Sequence, residues 1–114
     1  IMDATFEQAL VLGEGESFLS ALLVLNSELW FALAKEHGLD GFDHDSLNDK
    51  ALHNAVIQRL RKLLHDFPAY ARIRKVTLTL EAWSVENDLM TPTMKIKRPK
   101  VIAHHQKDID AMYG

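Results

Sequence analysis

Two apolar runs open the chain, and a short glycine-rich link separates them. The runs are residues 9–12 and 18–25, and the link reads Gly-Glu-Gly-Glu-Ser. Because glycine readily adopts the positive φ angles of tight loops, this pattern predicts a β-hairpin. The second run is apolar at odd and even positions alike, which is typical of a central strand covered on both faces. A buried helix would give the same run, but the flanking glycines and the short length favour a strand.

A first helix is predicted directly after the hairpin. In SELWFALAKEHG the apolar residues recur at helical spacing, and Trp30 lies on that stripe, where core packing is the default role. Asn26 or Ser27 can cap the first turn, and Gly38 stands where a glycine commonly ends a helix.

A second, longer helix is predicted after a loop at residues 39–47. Asn48 is its predicted cap, and Pro68 is expected to end it near residue 66 or 67, because the residue before a proline avoids helical backbone angles. The apolar positions recur at steps of three and four: Leu52, Val56, Leu60, Leu63 and Phe67.

Alternation of apolar and polar residues predicts a third strand around Val76 and Leu78. A basic loop follows, and Pro99 suits the first turn of a single closing helix. The apolar line of that helix is Val101, His105, Ile109 and Met112. The element order predicts an α+β domain, in which a small three-stranded, mostly antiparallel sheet is packed with about three helices.

The composition fits one globular domain. The chain has 114 residues, of which 47% are hydrophobic, 25% are charged and none is cysteine. Without cysteine, disulfides, thiolate metal ligands and a thiol nucleophile are excluded. The six histidines show no paired spacing on one helix face, so no metal site is predicted. His105, on the apolar line, is expected to be a packed, hydrogen-bonded core residue.

The two halves of the chain carry opposite charge. Residues 1–50 hold ten acidic and two basic residues, and residues 51–114 hold six acidic and eleven basic ones. Such a split bears on binding partners rather than on fold. It predicts that the second half meets phosphates or carboxylates, although a solvated surface would show the same split.

The basic segment ENDLMTPTMKIKRPK raises the most specific hypothesis. Pro92 restricts its own backbone and that of Thr91. Lys95 lies between Met94 and Ile96, an arrangement that suits the presentation of one cation to a partner. The alternative is a solvated loop that leads into a basic helix start. The four basic residues are Lys95, Lys97, Arg98 and Lys100.

Several stretches are matched together in one known family. They are FEQALVLGEGESFLSALLVLN, SELWFALAKEHGLD, residues 47–101 and HHQKDIDAMYG. They resemble the small C-terminal lid domain of long-chain acyl-CoA synthetases, within the AMP-forming, adenylate-forming enzyme superfamily. The resemblance covers nearly the whole chain, and VENDLMTPTMKIKR is similar to the family's ENGLLTPTLKLKR segment.

The resemblance implies an ATP-dependent ligase. Such enzymes join a fatty acid carboxylate to the α-phosphate of ATP with the help of Mg²⁺, and then transfer the acyl group to the thiol of CoA. The family's large N-terminal adenylation domain is the implied partner, and the lid rotates between the two half-reactions. Residues 1–114 are expected to be a single lid subdomain fragment without that domain. We therefore expect the isolated chain to be inactive and to hold no cofactor.

The resemblance also implies roles for residues. Lys95 is the implied adenylation lysine, and Lys97 is the competing candidate. Thr93 and Met94 stand where other members have Ser-Gly. The supporting motif positions are Thr91, Pro92 and Thr93. From charge alone, a second group of cations is a candidate for binding CoA phosphates, with a solvated surface as the alternative: Arg59, Arg61, Lys62, Arg72 and Arg74.

Two readings from other classes remain. One is a stand-alone α+β binding module for an acidic partner or RNA; the chain lacks the surface aromatics of sheet-based RNA binders, so nucleic acid is not the expected partner. The other is a structural interaction domain. Apolar surface left by a missing domain would favour a non-native dimer of the fragment. The expected location is cytoplasmic, with peripheral membrane attachment of the full-length enzyme as the alternative.

Overall fold

A computed structural model describes residues 4–67 and 72–114 of the chain. Strands β1 (Phe6–Leu12) and β2 (Leu19–Leu25) form the predicted antiparallel hairpin, and β3 (Ile73–Thr79) pairs with β2 in parallel, in the order β1-β2-β3. The predicted α+β class and three-stranded sheet are confirmed, with one antiparallel and one parallel pairing. Gly15, with φ of 77°, supplies the positive backbone angle of the hairpin link.

The central strand β2 separates two hydrophobic cores, as its continuous apolar run predicts. Leu23 and Leu25 face the first core together with Trp30. Leu22 and Val24 face the second core together with Trp83. Side chains alternate between the two faces of a strand, so a strand that must cover two cores has to be apolar at every position.

Helices α1 (Ser27–Glu36) and α2 (Lys50–Leu63) contribute their apolar faces to the first core. Asn26 caps α1 by accepting from the Leu29 amide at 3.0 Å, and Gly38 has φ of 68°, both as predicted. Trp30 is fully buried, and its indole donates to the Gly41 carbonyl at 2.9 Å.

Both predicted ends of the second helix differ from the structure. Asn48 is the last residue of a short 3₁₀ helix, His44–Asn48, within the predicted loop. The extended backbone that a cap requires therefore falls at Asp49, whose carboxylate accepts from the Leu52 amide at 2.9 Å. The helix ends at Leu63, before the predicted residues 66 and 67, because the chain turns at residues 64–66. Pro68, the predicted stop, lies outside the described residues.

The closing segment forms two helices rather than one: α3 (Arg98–His104) and α4 (Gln106–Tyr113). The backbone leaves helical angles at His105, with φ of −103° and ψ of 21°. The His105 side chain is buried between Trp83 and Asp108, as the core role predicted for it requires. In the described ranges, no helix has the length and apolar character needed to cross a membrane.

Candidate functional site

The basic segment forms a short hairpin, which we call the lysine loop (residues 90–97). Its base is an antiparallel bridge between Met90 and Ile96, and the Lys97 amide donates to the Leu89 carbonyl at 2.9 Å. Leu89 and Met90 are buried in the second core, and Ile96 packs against it. The apolar residues beside the lysines therefore fix both arms of the loop to the body of the domain.

A tight turn closes the tip of the lysine loop. The Met94 amide donates to the Thr91 carbonyl at 2.8 Å, with Pro92 at the second turn position, where its fixed φ is favoured. The Thr91 amide donates to the Lys95 carbonyl at 2.8 Å, and the Thr91 hydroxyl accepts from the Lys95 amide at 3.1 Å. The Thr91 and Thr93 hydroxyls share a further hydrogen bond at 3.0 Å. This turn fixes the backbone position from which the Lys95 side chain projects.

Met94 adopts the left-handed conformation, with φ of 66°. Glycine is the residue that this region favours. Met94 also follows the turn as the left-handed residue of a common three-residue hairpin loop.

The lysines at positions 97 and 100 are engaged by their own domain. Asp88 accepts from Lys97 at 2.5 Å and pairs with Lys100 at 3.3 Å. The hydrogen bond from Lys97, followed by that from Lys100, lowers the pKa of Asp88 below its ordinary value of 3.8. Arg98 donates to the Val11 carbonyl at 3.0 Å.

Lys95 differs from these neighbours. Its side chain is exposed, and within residues 4–67 and 72–114 its ammonium group has no hydrogen-bond or ion-pair partner. The tip of the loop thus presents a cation that is unpaired in the described ranges, on a backbone that a proline and two threonine hydroxyls restrain.

Gln8 of β1 contacts the base of the lysine loop and the backbone of Trp83, a role that the sequence patterns did not reveal. Its amide oxygen accepts from the Trp83 amide at 2.8 Å, and its amide nitrogen donates to the Trp83 carbonyl at 3.0 Å. The same nitrogen contacts the sulfur of Met90 at 3.3 Å. A signal was present in the sequence, because Gln8 shares the alternation parity of Leu10 and Leu12, which face the second core.

Trp83 connects the Gln8 contacts to the closing helices through its side chain. Its indole nitrogen donates to His105 Nε2 at 3.1 Å, so that ring nitrogen is unprotonated. His105 Nδ1 then carries the proton and contacts the Asp108 carboxylate at 3.3 Å. These contacts fix the orientation of the ring at the break between α3 and α4.

The five cations proposed for CoA phosphates lie in different environments. Arg61 is half-buried and donates to the Ile73 carbonyl at 2.8 Å, which ties α2 to β3. Arg74 lines a cleft that none of the other four lines. Arg59, Lys62 and Arg72 have exposed side chains.

Comparison with known proteins places the chain in a family. The protein-family model for the AMP-binding enzyme C-terminal domain matches residues 1–114 of the sequence, and the chain belongs to this family. The human long-chain-fatty-acid–CoA ligase 1 is 30% identical over 110 residues, which are 94% of this chain and 16% of the relative. A peroxisomal acyl-CoA ligase 891 from Penicillium brevicompactum is 40% identical over 72 residues, or 61% of this chain and 10% of the relative.

Solved structures agree with the fold. The A-PCP didomain of a carboxylic acid reductase from Segniliparus rugosus, in complex with AMP, has a TM-score of 0.72 at 22% identity, over 98% of this chain and 14% of that one. The adenylation domain of a carboxylate reductase from Mycobacterium chelonae has a TM-score of 0.70 at 22% identity, over 96% of this chain and 16% of that one. The chain thus spans about a tenth to a sixth of the length of these relatives.

Proposed function

We propose that this chain is the C-terminal lid of an ATP-dependent long-chain fatty acid–CoA ligase, and that Lys95 is its adenylation lysine. Family membership and the similarity to long-chain-fatty-acid–CoA ligases over most of the chain support the first part. One observation carries the second: among the described residues Lys95 has no partner and projects from a restrained turn, whereas Lys97, the competing candidate, is held by Asp88.

The chemistry of adenylation needs a movable cation. When a carboxylate attacks the α-phosphate of ATP, two anions approach one another and negative charge builds up on the phosphate oxygens. A lysine ammonium delivered by closure of the lid offsets that charge in a site from which water is excluded. Lysine suits this task because it acts as a point charge on a flexible stem. ATP, Mg²⁺ and the fatty acid would be bound by the N-terminal adenylation domain.

The second half-reaction places a different demand on the lid. In transfer to CoA, the thiol sulfur attacks the acyl carbonyl carbon, the bond between that carbon and the phosphate oxygen breaks, and AMP leaves. No bond forms at the α-phosphorus in this step, so a lysine that stabilises attack at that atom is not required for it. We propose that the lid rotates between the half-reactions and removes Lys95 from the nucleotide. Without the other domain, the isolated chain is expected to neither hydrolyse ATP nor make acyl-CoA.

Two single variants of the intact ligase test the choice between the lysines. Lys95→Ala is expected to slow fatty-acid-dependent ATP–pyrophosphate exchange by about 10²–10³-fold, the typical loss when one preorganised donor is removed. Lys97→Ala is the matched control, since it removes the same charge two positions away, and we expect less than about a fivefold change because its ammonium is bound to Asp88. The reverse order of losses would assign the role to Lys97.

A further inference from the structure

A cleft of about 430 Å³ runs along the outer edge of β3, between α2 and α4. β3 is the last strand of the sheet, so this edge pairs with no strand in the described ranges. Ile57, Val76 and Met112 give the cleft an apolar wall. Its volume lies in the range of sites that hold small molecules.

Three cationic side chains from two elements line this cleft. Lys50 comes from the first turn of α2, and Arg74 and Lys75 come from β3. None of the three side chains has a hydrogen-bond or ion-pair partner among residues 4–67 and 72–114. The lining also includes His53, whose Nε2 donates to the Leu47 carbonyl at 2.6 Å.

One acidic residue, Asp108, lines the cleft, and its carboxylate already contacts His105 Nδ1 at 3.3 Å. The lining therefore carries a net positive charge, and cations that share a concave surface repel one another while raising its attraction for anions. Lysine and arginine are the residues that bind phosphate oxygens through charge-assisted hydrogen bonds. Neutral polar groups complete the lining: Asn48, Asn54 and Thr77.

We propose that this cleft binds a small organic phosphate. Lys50, Arg74 and Lys75 contact the phosphate oxygens, and the apolar wall covers the organic part. Cations with no partner among the described residues, beside an apolar wall, match a ligand that is charged at one end and apolar at the other. The site lies on different residues from the lysine loop, and the proposal does not depend on the role of Lys95.

The test titrates the 114-residue chain with phenyl phosphate and with inorganic phosphate at low ionic strength, followed by amide chemical shifts in solution NMR. We expect saturable shifts confined to the cleft lining, residues 48–57, 74–77 and 108–112. Phenyl phosphate is expected to bind roughly tenfold more tightly than inorganic phosphate, because it also buries apolar surface. Shifts spread over the surface, absence of saturation, or equal affinity for the two probes would overturn the proposal.

A pair of double variants separates a built site from general charge attraction. Lys50→Gln with Lys75→Gln is expected to weaken binding of phenyl phosphate about tenfold or more. Lys35→Gln with Lys107→Gln removes the same charge from exposed lysines outside the cleft, and we expect less than a twofold change. Equal weakening by both pairs would contradict the proposal, and circular dichroism checks that the wild type and both double variants are folded.

Discussion

Lys95 and Lys97 are two positions apart, and Asp88 gives them different environments. The Lys97 side chain is 33% exposed and bound to the carboxylate, while Lys95 is exposed with no partner in the described residues. An ammonium that enters the pocket of another domain must leave every partner it has in its own. Lys97 would have to break an ion pair to do so, whereas Lys95 has none to break within the described part of the chain.

The turn at the loop tip makes Met94 a sensitive position. A non-glycine residue in the left-handed region costs about 1–2 kcal/mol, and Met94 is 67% exposed, so its side chain gains little from burial. We expect Met94→Gly to leave the free energy of unfolding unchanged or to raise it by up to about 1 kcal/mol. Met94→Val should lower it by about 1–2 kcal/mol, because β-branched residues are poorly tolerated there. Urea denaturation measures both, and equal stability of the two variants would contradict the turn.

Asp88 gives the lysine loop a pH-dependent contribution to stability. Its pKa is lowered in the folded state, so the contribution is present above the unfolded pKa, near 3.8, and is lost as the pH falls through the folded value. We expect Asp88→Asn to narrow the difference in melting temperature between about pH 6 and about pH 3. Glu14→Gln, an exposed carboxylate of the hairpin link, is the control. An unchanged difference in Asp88→Asn would show that the ion pairs contribute no stability.

At the scale of elements, the second core connects β1 to the lysine loop and the closing helices. Gln8 holds the backbone of Trp83 on both sides, and Trp83 in turn bonds His105. The segment after β3 thus docks on β1 through a side chain rather than through a strand pairing. The position of the loop therefore depends on one inward-facing polar residue of a neighbouring strand.

Loss of this side-chain contact should destabilise the domain. Gln8→Leu keeps a similar volume but leaves the Trp83 amide and carbonyl without their side-chain partner. We expect the free energy of unfolding to fall by about 1–3 kcal/mol, the usual cost of unsatisfied buried polar groups. Glu7→Gln, on the exposed side of the same strand, should change it by less than about 0.5 kcal/mol. If urea denaturation shows the same free energy of unfolding for Gln8→Leu and the wild type, the Gln8 hydrogen bonds do not stabilise the domain.

Local patterns predicted the elements better than their connections. The continuous apolar run of β2 and the cap at Asn26 follow from side-chain periodicity and local hydrogen bonding, which are properties of short segments. The parallel pairing of β3, the cap at Asp49 and the helix break at His105 depend on tertiary contacts. The restrained tip of the lysine loop was visible in its proline and threonines, whereas the pairing of Lys97 with Asp88 needs the folded backbone.

At the scale of the whole molecule, one sheet carries two cores, and the lysine loop is attached to the second. Both arms of the loop reach buried residues, so the position of Lys95 relative to the sheet is set by packing rather than by a free linker. A lid that rotates as a unit would preserve this geometry. In the proposed ligase, the same loop would be near the nucleotide in one half-reaction and away from it in the other.

The most direct test of this account separates the two half-reactions in the intact ligase. Lys95→Ala is assayed once from fatty acid and ATP, and once from supplied acyl-AMP and CoA. We expect formation of acyl-AMP to fall by about 10²–10³-fold while acyl-CoA forms from acyl-AMP at a rate within about twofold of the wild type. Equal loss in both assays would mean that Lys95 supports the structure or binds CoA, and would contradict its assignment as the adenylation lysine.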